Sequence, residues 1–259
     1  MTAETRYTAR VALIVALGGF LMGFDASVIS GVVGFIELEF SLTKIELGWS
    51  VASLTLTATL AMMVAGPLSD RIGRRPVLRI AALLFAVSAV ASAFAPSFLA
   101  LVLARMIGGL GVGAALIIAP MYIAEIAPAE VRGRMVSFNQ LNIVIGISAA
   151  FFSNYLVLTL GDSAAAWAQP LQFEAWAWRW MLGIETLPAI LYFLALLAVP
   201  ESPRWLAMKG REGEALGILE RVSGPERARA DLRRVHDSLG TEEGASQGTL
   251  RQLFQPAMR

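Results

Sequence analysis

Six stretches of this chain, at about 11 to 33, 47 to 68, 77 to 95, 98 to 119, 136 to 160 and 179 to 199, are apolar over nearly their whole length. A bilayer core of about 30 Å is crossed by roughly 20 such residues in a helix. Lipid offers no hydrogen bonds, so a spanning backbone must satisfy its own N–H and C=O groups, which α-helices do within one segment. The expectation is an all-α membrane protein with six transmembrane helices over residues 1–200, followed by a polar segment over 201–259. Composition agrees: 56% of the 259 residues are hydrophobic and 16% charged, whereas soluble domains are about a quarter charged. The partner implied is the lipid bilayer. Nucleic acid is not expected, because the net charge is +1 and basic residues are interleaved with acids. With no cysteine there is neither a disulfide nor a thiolate metal site, and no metal or cofactor is expected.

Arg6 and Arg10 precede the first apolar stretch in the manner of a signal peptide. The stretch is longer than a signal core, contains Asp25 and is followed by further spans, so a retained first helix is expected. The positive-inside rule then orients the bundle. With a cytoplasmic N-terminus, Arg71, Arg74, Arg75, Arg79, Arg132, Arg134 and every basic residue from Arg204 onward fall inside. Only Lys44 and Arg179 fall outside, among the acids Glu37, Glu39, Glu46, Asp162 and Glu174. Both termini are thus expected in the cytoplasm.

After Pro200 the chain becomes polar and charge-dense. Segments 211–222 and 226–239 have helical spacing of apolar residues between charges, as in short amphipathic helices at the inner face. Residues 241–248 read as a flexible linker by composition. The single histidine, His236, is expected at a solvated helix position.

Asp25, Arg105 and Glu185 stand inside three separate apolar stretches. A charge in hydrocarbon is costly unless paired or hydrated, so each marks a candidate functional site. Counted from the outer ends of their helices, Asp25 lies roughly 12 Å deep and Arg105 and Glu185 each roughly 10 Å. One guanidinium at the level of two carboxylates can satisfy both, because its fork presents donors to each. If a conformational change altered the Asp25 to Arg105 distance, the proton affinity of Asp25 would change with it. That is what coupling proton movement to a rocking bundle requires. The alternative is a static ion-pair network, although buried pairs add little stability once desolvation is counted. Glu185, drawn near the outer interface, is open to either reading.

Small residues recur every fourth position in helix 1, at Gly19, Gly23, Ser27 and Gly31, and in helix 4 at Gly109 and Gly113. Such stripes let helices approach closely, so the helices holding the charge pair are expected to be in tight contact. GGLGVG (108–113) lies mid-span after no strand, which favours packing over phosphate binding.

Between helices 2 and 3 stands GPLSDRIGRRP (66–76), where Gly66 permits close packing, Asp70 can cap or pair near helix 3 and Gly73 supplies a turn. This string, with GFDASVISG (23–31), PMYIAEIAPAEVRGR (120–134), SFNQLNIVIG (137–146) and PESPRWL (200–206), resembles in order and spacing the sugar porter family of the major facilitator superfamily. The resemblance covers essentially the whole chain and implies the N-terminal half of a major facilitator fold. It further implies a secondary carrier of a monosaccharide, coupled to protons, in the bacterial inner (plasma) membrane.

By that resemblance Asp25 matches the proton-binding aspartate of the symporters, and Arg105 and Glu185 match its partners. Arg74, Arg75, Glu125, Arg132, Glu201 and Arg204, with Asp70 and Arg71 of the same loop, match a cytoplasmic charge network that latches the two halves together. Gln140 matches a glutamine that hydrogen-bonds sugar hydroxyls. Two sugar-lining positions depart from the family: Met22 stands where relatives often have phenylalanine, and Ile147 where a second glutamine often sits. Asn154 shares the Gln140 face to within about 40°, as a ligand or as a packing amide.

Family members have a dozen spans in two six-helix halves around the substrate. This chain reads as one half, ending in TLRQLFQPAMR (249–259), a run similar to the lead into a seventh span. A C-terminal six-helix half or a second copy is therefore expected to complete the cavity. The alternative function is a truncated, non-transporting remnant that binds sugar or regulates a partner. A membrane enzyme finds no support, since no metal-ligand spacing occurs and no Ser/His/Asp set can be built with one tail histidine.

Overall fold

A computed structural model describes residues 3–163 and 169–244. All regular elements among them are helical: α1 (Ala3–Glu39), α2 (Lys44–Ile72), α3 (Arg74–Ala93), α4 (Phe98–Ile126), α5 (Arg132–Gly161), a short 3-10 turn (Gln169–Leu171), α6 (Ala177–Gly183), α7 (Thr186–Leu197), α8 (Pro203–Met208), α9 (Glu212–Ser223) and α10 (Pro225–Gly244). Six segments are long and apolar enough to cross a membrane, and each overlaps one expected stretch. The sixth is α6 and α7 in line, interrupted at Ile184 and Glu185. Pro188 is the cause. It has no N–H to give to the Ile184 carbonyl, which accepts instead from Leu187 N at 3.2 Å in a tighter turn.

Local chemistry explains the other joints. Thr43 and Glu46 form a capping box at the start of α2, each accepting from the other's backbone N–H. Gly73 turns α2 directly into α3 with φ at 106°, a left-handed conformation that glycine reaches without steric cost. Ser202 caps α8, with Pro203 at its first position. The expected amphipathic helices are α9 and α10. The linker expectation is partly overturned, because 241–244 continue α10; residues 245–259, including the expected lead into another span, lie outside those described.

Two apolar cores are stacked along the bundle. One gathers Leu21, Phe85, Ile118, Tyr122, Ile123 and Tyr192, the other Val28, Ile36, Leu101, Trp178 and Met181. Between Leu21 and Val28, and between Leu101 and Ile118, lie Asp25 and Arg105. A polar layer therefore separates the cores.

The small-residue stripes do pack tightly, but not against each other. A Cβ at Gly23 would collide with the Ile143 carbonyl, and one at Gly146 with the Phe20 carbonyl, so this contact seats α1 on α5. Gly109 and Gly113 face the Leu54 and Ala58 carbonyls, which seats α4 on α2. The expectation that these stripes join helices 1 and 4 is corrected: each central helix uses its glycines to hold a flanking helix. Among the described residues nothing would meet a Cβ at Gly66, so no close packing within this chain depends on it.

These contacts make a signed prediction. Gly23→Val is expected to destabilise by about 1–3 kcal/mol or more, because the Ile143 backbone cannot yield. Gly34→Ala, where nothing lies within 4 Å, is expected to be neutral or stabilising by about 0.5–1 kcal/mol. Thermal unfolding of the detergent-solubilised chain measures both, and equal midpoints would contradict the packing account.

Candidate functional site

Asp25, in the middle of α1, and Arg105, in the second turn of α4, are each 2% exposed. Arg105 Nη1 donates to Asp25 Oδ1 at 3.2 Å, and Nη2 donates to the Asp25 backbone carbonyl at 3.3 Å. The fork therefore closes on one residue. The expectation that it is shared between two acids is corrected, because no hydrogen bond joins Arg105 to Glu185 among the described residues. Arg105 Nε, Asp25 Oδ2 and Glu185 Oε1 are all buried without a hydrogen-bond partner.

Glu185 is 3% exposed and sits at the interruption of the sixth span. It feels the charges of both Asp25 and Arg105. Its burial closes the route to water that a position near the outer interface leaves open. The break made by Pro188 places the glutamate inside the bundle with the other two charges, so the three form one cluster although only two are bonded.

At the end of the bundle holding the α2–α3 turn, a second polar cluster assembles around Arg74. Its Nη2 donates to Glu125 Oε1 at 3.0 Å, its Nε to Glu125 Oε2 at 3.1 Å, and its Nη1 to Asp70 Oδ1 at 2.7 Å. Glu201 Oε1 accepts from the backbone N–H groups of Arg74, Arg75 and Ser202 at 3.1, 3.1 and 2.8 Å. A carboxylate thus sits at the N-terminus of α3, where unpaired amides and the helix dipole favour negative charge. Arg75 donates to the Leu197 carbonyl at 2.8 Å, and Arg79 to the Leu196 carbonyl at 3.2 Å. These bonds tie α3 to the end of α7.

Of the residues expected here, Asp70, Arg74, Arg75, Glu125 and Glu201 meet. Arg204 donates to Ser238 Oγ of α10 at 3.5 Å. Arg71 and Arg132 are exposed, and no ion pair is found for either among the described residues. Two participants went unforeseen. Ser202 Oγ donates to Glu125 Oε2 at 2.5 Å, and Trp205 Nε1 donates to the Asp70 carbonyl at 3.0 Å. Both lie in PESPRWL; the cap signature of Ser202 before Pro203 was the signal for the first.

The expected sugar-facing positions divide. Gln140 is exposed on α5, and Ile147, two turns further, is partly exposed. Met22 is partly buried against the first apolar core. Asn154 is buried and donates from Nδ2 to the Val28 carbonyl at 3.0 Å, a bond that fastens α5 to α1. His236 lies 3.4 Å from Glu212 on the exposed side of α9 and α10, as a solvated pair.

With this geometry, comparison with known proteins is informative. A family model described as sugar (and other) transporter matches residues 11–259. The chain belongs to this family. It is 42% identical over 243 residues to the arabinose-proton symporter of Bacillus subtilis, covering 94% of this chain and 50% of that protein. It is 38% identical to the D-xylose-proton symporter of Escherichia coli over 262 residues, covering 91% of this chain and 52% of that one. The solved structure of the major facilitator proton:xylose symporter XylE bound to 6-bromo-6-deoxy-D-glucose superposes with a TM-score of 0.83 at 36% identity, over 92% of this chain and 54% of that chain. The all-α, six-span architecture is thus that of a major facilitator N-terminal half, in a family of carriers rather than enzymes. The chain spans about half the length of the curated relatives it matches.

Glu125→Ala tests the Arg74 cluster. It leaves a guanidinium whose side chain is 5% exposed with Asp70 as its remaining carboxylate, and loss of one partner of a buried pair costs up to about 3–5 kcal/mol. A clear fall in thermal midpoint is expected, with a smaller fall for Asp70→Ala, whose side chain is 57% exposed. The reverse order would show that Asp70 is the principal partner.

Proposed function

We propose that this chain forms the N-terminal half of a monosaccharide:proton symporter, with Asp25 as the proton site. The supporting observation is the buried Asp25–Arg105 pair with one carboxylate oxygen left uncommitted. Arg105 cannot release its proton at physiological pH, so a change in charge of this layer falls to Asp25 or Glu185. Protonating Asp25 weakens its hold on Arg105. The guanidinium is then free to turn toward Glu185, which lies close enough to feel it, and the relation of α1, α4 and the sixth span changes. In this reading the cluster converts proton binding into a shift between helix packings.

The sugar is bound at the face bearing Gln140 and Ile147 of α5 and Met22 of α1, with Asn154 setting how α5 rests on α1. Met22 and Ile147 offer apolar surface, and the Gln140 amide both donates to and accepts from hydroxyls. A second six-helix unit, either a C-terminal half or another copy, closes the cavity. Asp70, Arg71, Arg74, Arg75, Glu125, Arg132, Glu201 and Arg204 face that unit at the cytoplasmic side. In this reading both termini lie in the cytoplasm, which the arginine distribution supports, and the bundle resides in the bacterial inner membrane. The half-length match favours one other reading, a sugar-binding or regulatory remnant that carries no flux.

In proteoliposomes holding the chain together with the second half of the arabinose-proton symporter, an imposed gradient of one pH unit is expected to drive about tenfold sugar accumulation for one proton per sugar. Asp25→Asn is expected to equilibrate sugar without accumulating it. Coupling retained in that variant would remove Asp25 from its role. Saturable sugar binding by the chain alone, with no flux in either arrangement, would establish the remnant reading.

A further inference from the structure

Arg105 occupies only one carboxyl oxygen of Asp25. Oδ1 accepts from Nη1, whereas Oδ2 is buried and has no hydrogen-bond partner. What faces Oδ2 is fixed by Gly108 on α4. A Cβ at that position would lie 2.8 Å from Asp25 Oδ2 and 2.5 Å from Ser88 Oγ of α3. The carboxylate oxygen and the serine oxygen therefore both border the space left by the bare Cα of Gly108, where a rotation of the Ser88 side chain or one bridging water would join them.

Ser88 is buried at 4% exposure. Most buried hydroxyls in this bundle donate back to their own helix, as Ser50, Thr57, Ser69 and Ser153 do, with Ser53 of α2 an exception. Ser88 makes no such bond among the described residues. Ser92, one turn on along the same face of α3, is buried with its Oγ unpartnered, and α3 ends one residue later at Ala93. The simpler account is that small residues here only permit close helix packing. It does not explain why the Ser88 hydroxyl makes no bond to its own helix beside an uncommitted carboxylate oxygen, where alanine would pack equally well.

We infer that Ser88 is the hydroxyl through which Asp25 Oδ2 exchanges its proton, with Gly108 keeping the approach open and Ser92 continuing it toward the end of α3. In the exchange Ser88 Oγ accepts a proton on a lone pair while its own hydrogen passes to Oδ2. The serine is regenerated, the carboxylate becomes a carboxylic acid, and the proton comes from a hydronium ion of the solvent, which is left as water. The charged groups facing Asp25 are Arg105 from α4 and Glu185 from the sixth span. α3 contributes only hydroxyls there, and α5 has no charged residue after Arg134. This inference rests on the reading of Asp25 as the proton site.

The test is infrared difference spectroscopy of the full chain in lipid, following the protonated-carboxyl band during pH titration and after a pH jump. Wild type is expected to show a band that Asp25→Asn abolishes. Ser88→Ala is expected to keep the band, move it to higher frequency through loss of the hydroxyl contact, and slow its appearance after the jump about tenfold, the scale of one hydrogen bond. Ser88→Thr, which keeps the hydroxyl, is expected to restore rate and frequency. Gly108→Ala, with its Cβ against both oxygens, is expected to behave as Ser88→Ala. A band unchanged in position and rate by Ser88→Ala overturns the relay and leaves Asp25 in place. No Asp25-dependent band in wild type overturns the proton-site reading itself, and the relay with it.

Discussion

A guanidinium cannot neutralise itself by losing a proton, and Arg105 is 2% exposed in the middle of a membrane bundle. The structure around it follows from that constraint. α1 must present Asp25 at the same depth, with both the carboxylate and the backbone carbonyl turned inward. The apolar interior is accordingly divided into two cores with the charges at their boundary. The sixth span must open at the same level, which Pro188 accomplishes by releasing one helical hydrogen bond beside Glu185. Without the pair, neither the division of the core nor the break in the span has an evident purpose.

Glycine determines how this layer is framed. α1 and α4 each spend their small residues on a flanking partner, α5 and α2 respectively, at distances where backbone meets backbone. The contact of α1 with α4 at the charge layer is thus left to the ion pair and to Gly108, rather than to a zipper of small residues. Contacts of the first kind resist change because no side chain can adjust, whereas an ion pair responds to protonation. A movement triggered at Asp25 would therefore pass between two rigid pairs, α1 with α5 and α2 with α4. The Arg74 cluster, joining the α2–α3 turn to α4 and α8, holds the far end of the second pair.

Much of this was legible in the sequence, for physical reasons that differ by residue. Spans are read by length and hydropathy, because lipid leaves the backbone a single local solution. Asp25 and Arg105 announce themselves because charge is rare in such stretches, and depth counting paired them correctly. Depth counting also sets Glu185 at the level of the other two; what it does not reveal is the break at Pro188, because counting assumes an unbroken helix. The glycine stripes were recognised but assigned the wrong partners, since a stripe states that something comes close and not which helix it is. For Asn154 the sequence is compatible with ligand or packing amide, and the tertiary contact with the Val28 carbonyl assigns it to packing. Ser88 gave no signal at all, because one serine in an apolar helix is ordinary until its neighbour across the bundle is known.

The exposed faces differ in a way that bears on what covers them. α7 presents Leu187, Ile190, Leu191, Leu194 and Leu197 outward, an uninterrupted apolar surface of the kind acyl chains cover. α5 presents Gln140 and Ser148 among Val144, Phe151 and Tyr155, and α2 presents Thr55 and Thr59 beside Leu56 and Leu60. Thr59 returns its hydroxyl to the Thr55 carbonyl at 2.9 Å and Ser148 to the Val144 carbonyl at 3.0 Å, so these two are tolerable in lipid. Gln140 has no such local bond among the described residues, and an amide facing hydrocarbon without a partner costs several kcal/mol. That cost is avoided if the Gln140 face of α5 meets water, sugar or a second helical unit. That requirement sets the Gln140 face of α5 apart from the wholly apolar outer face of α7, which lipid alone satisfies.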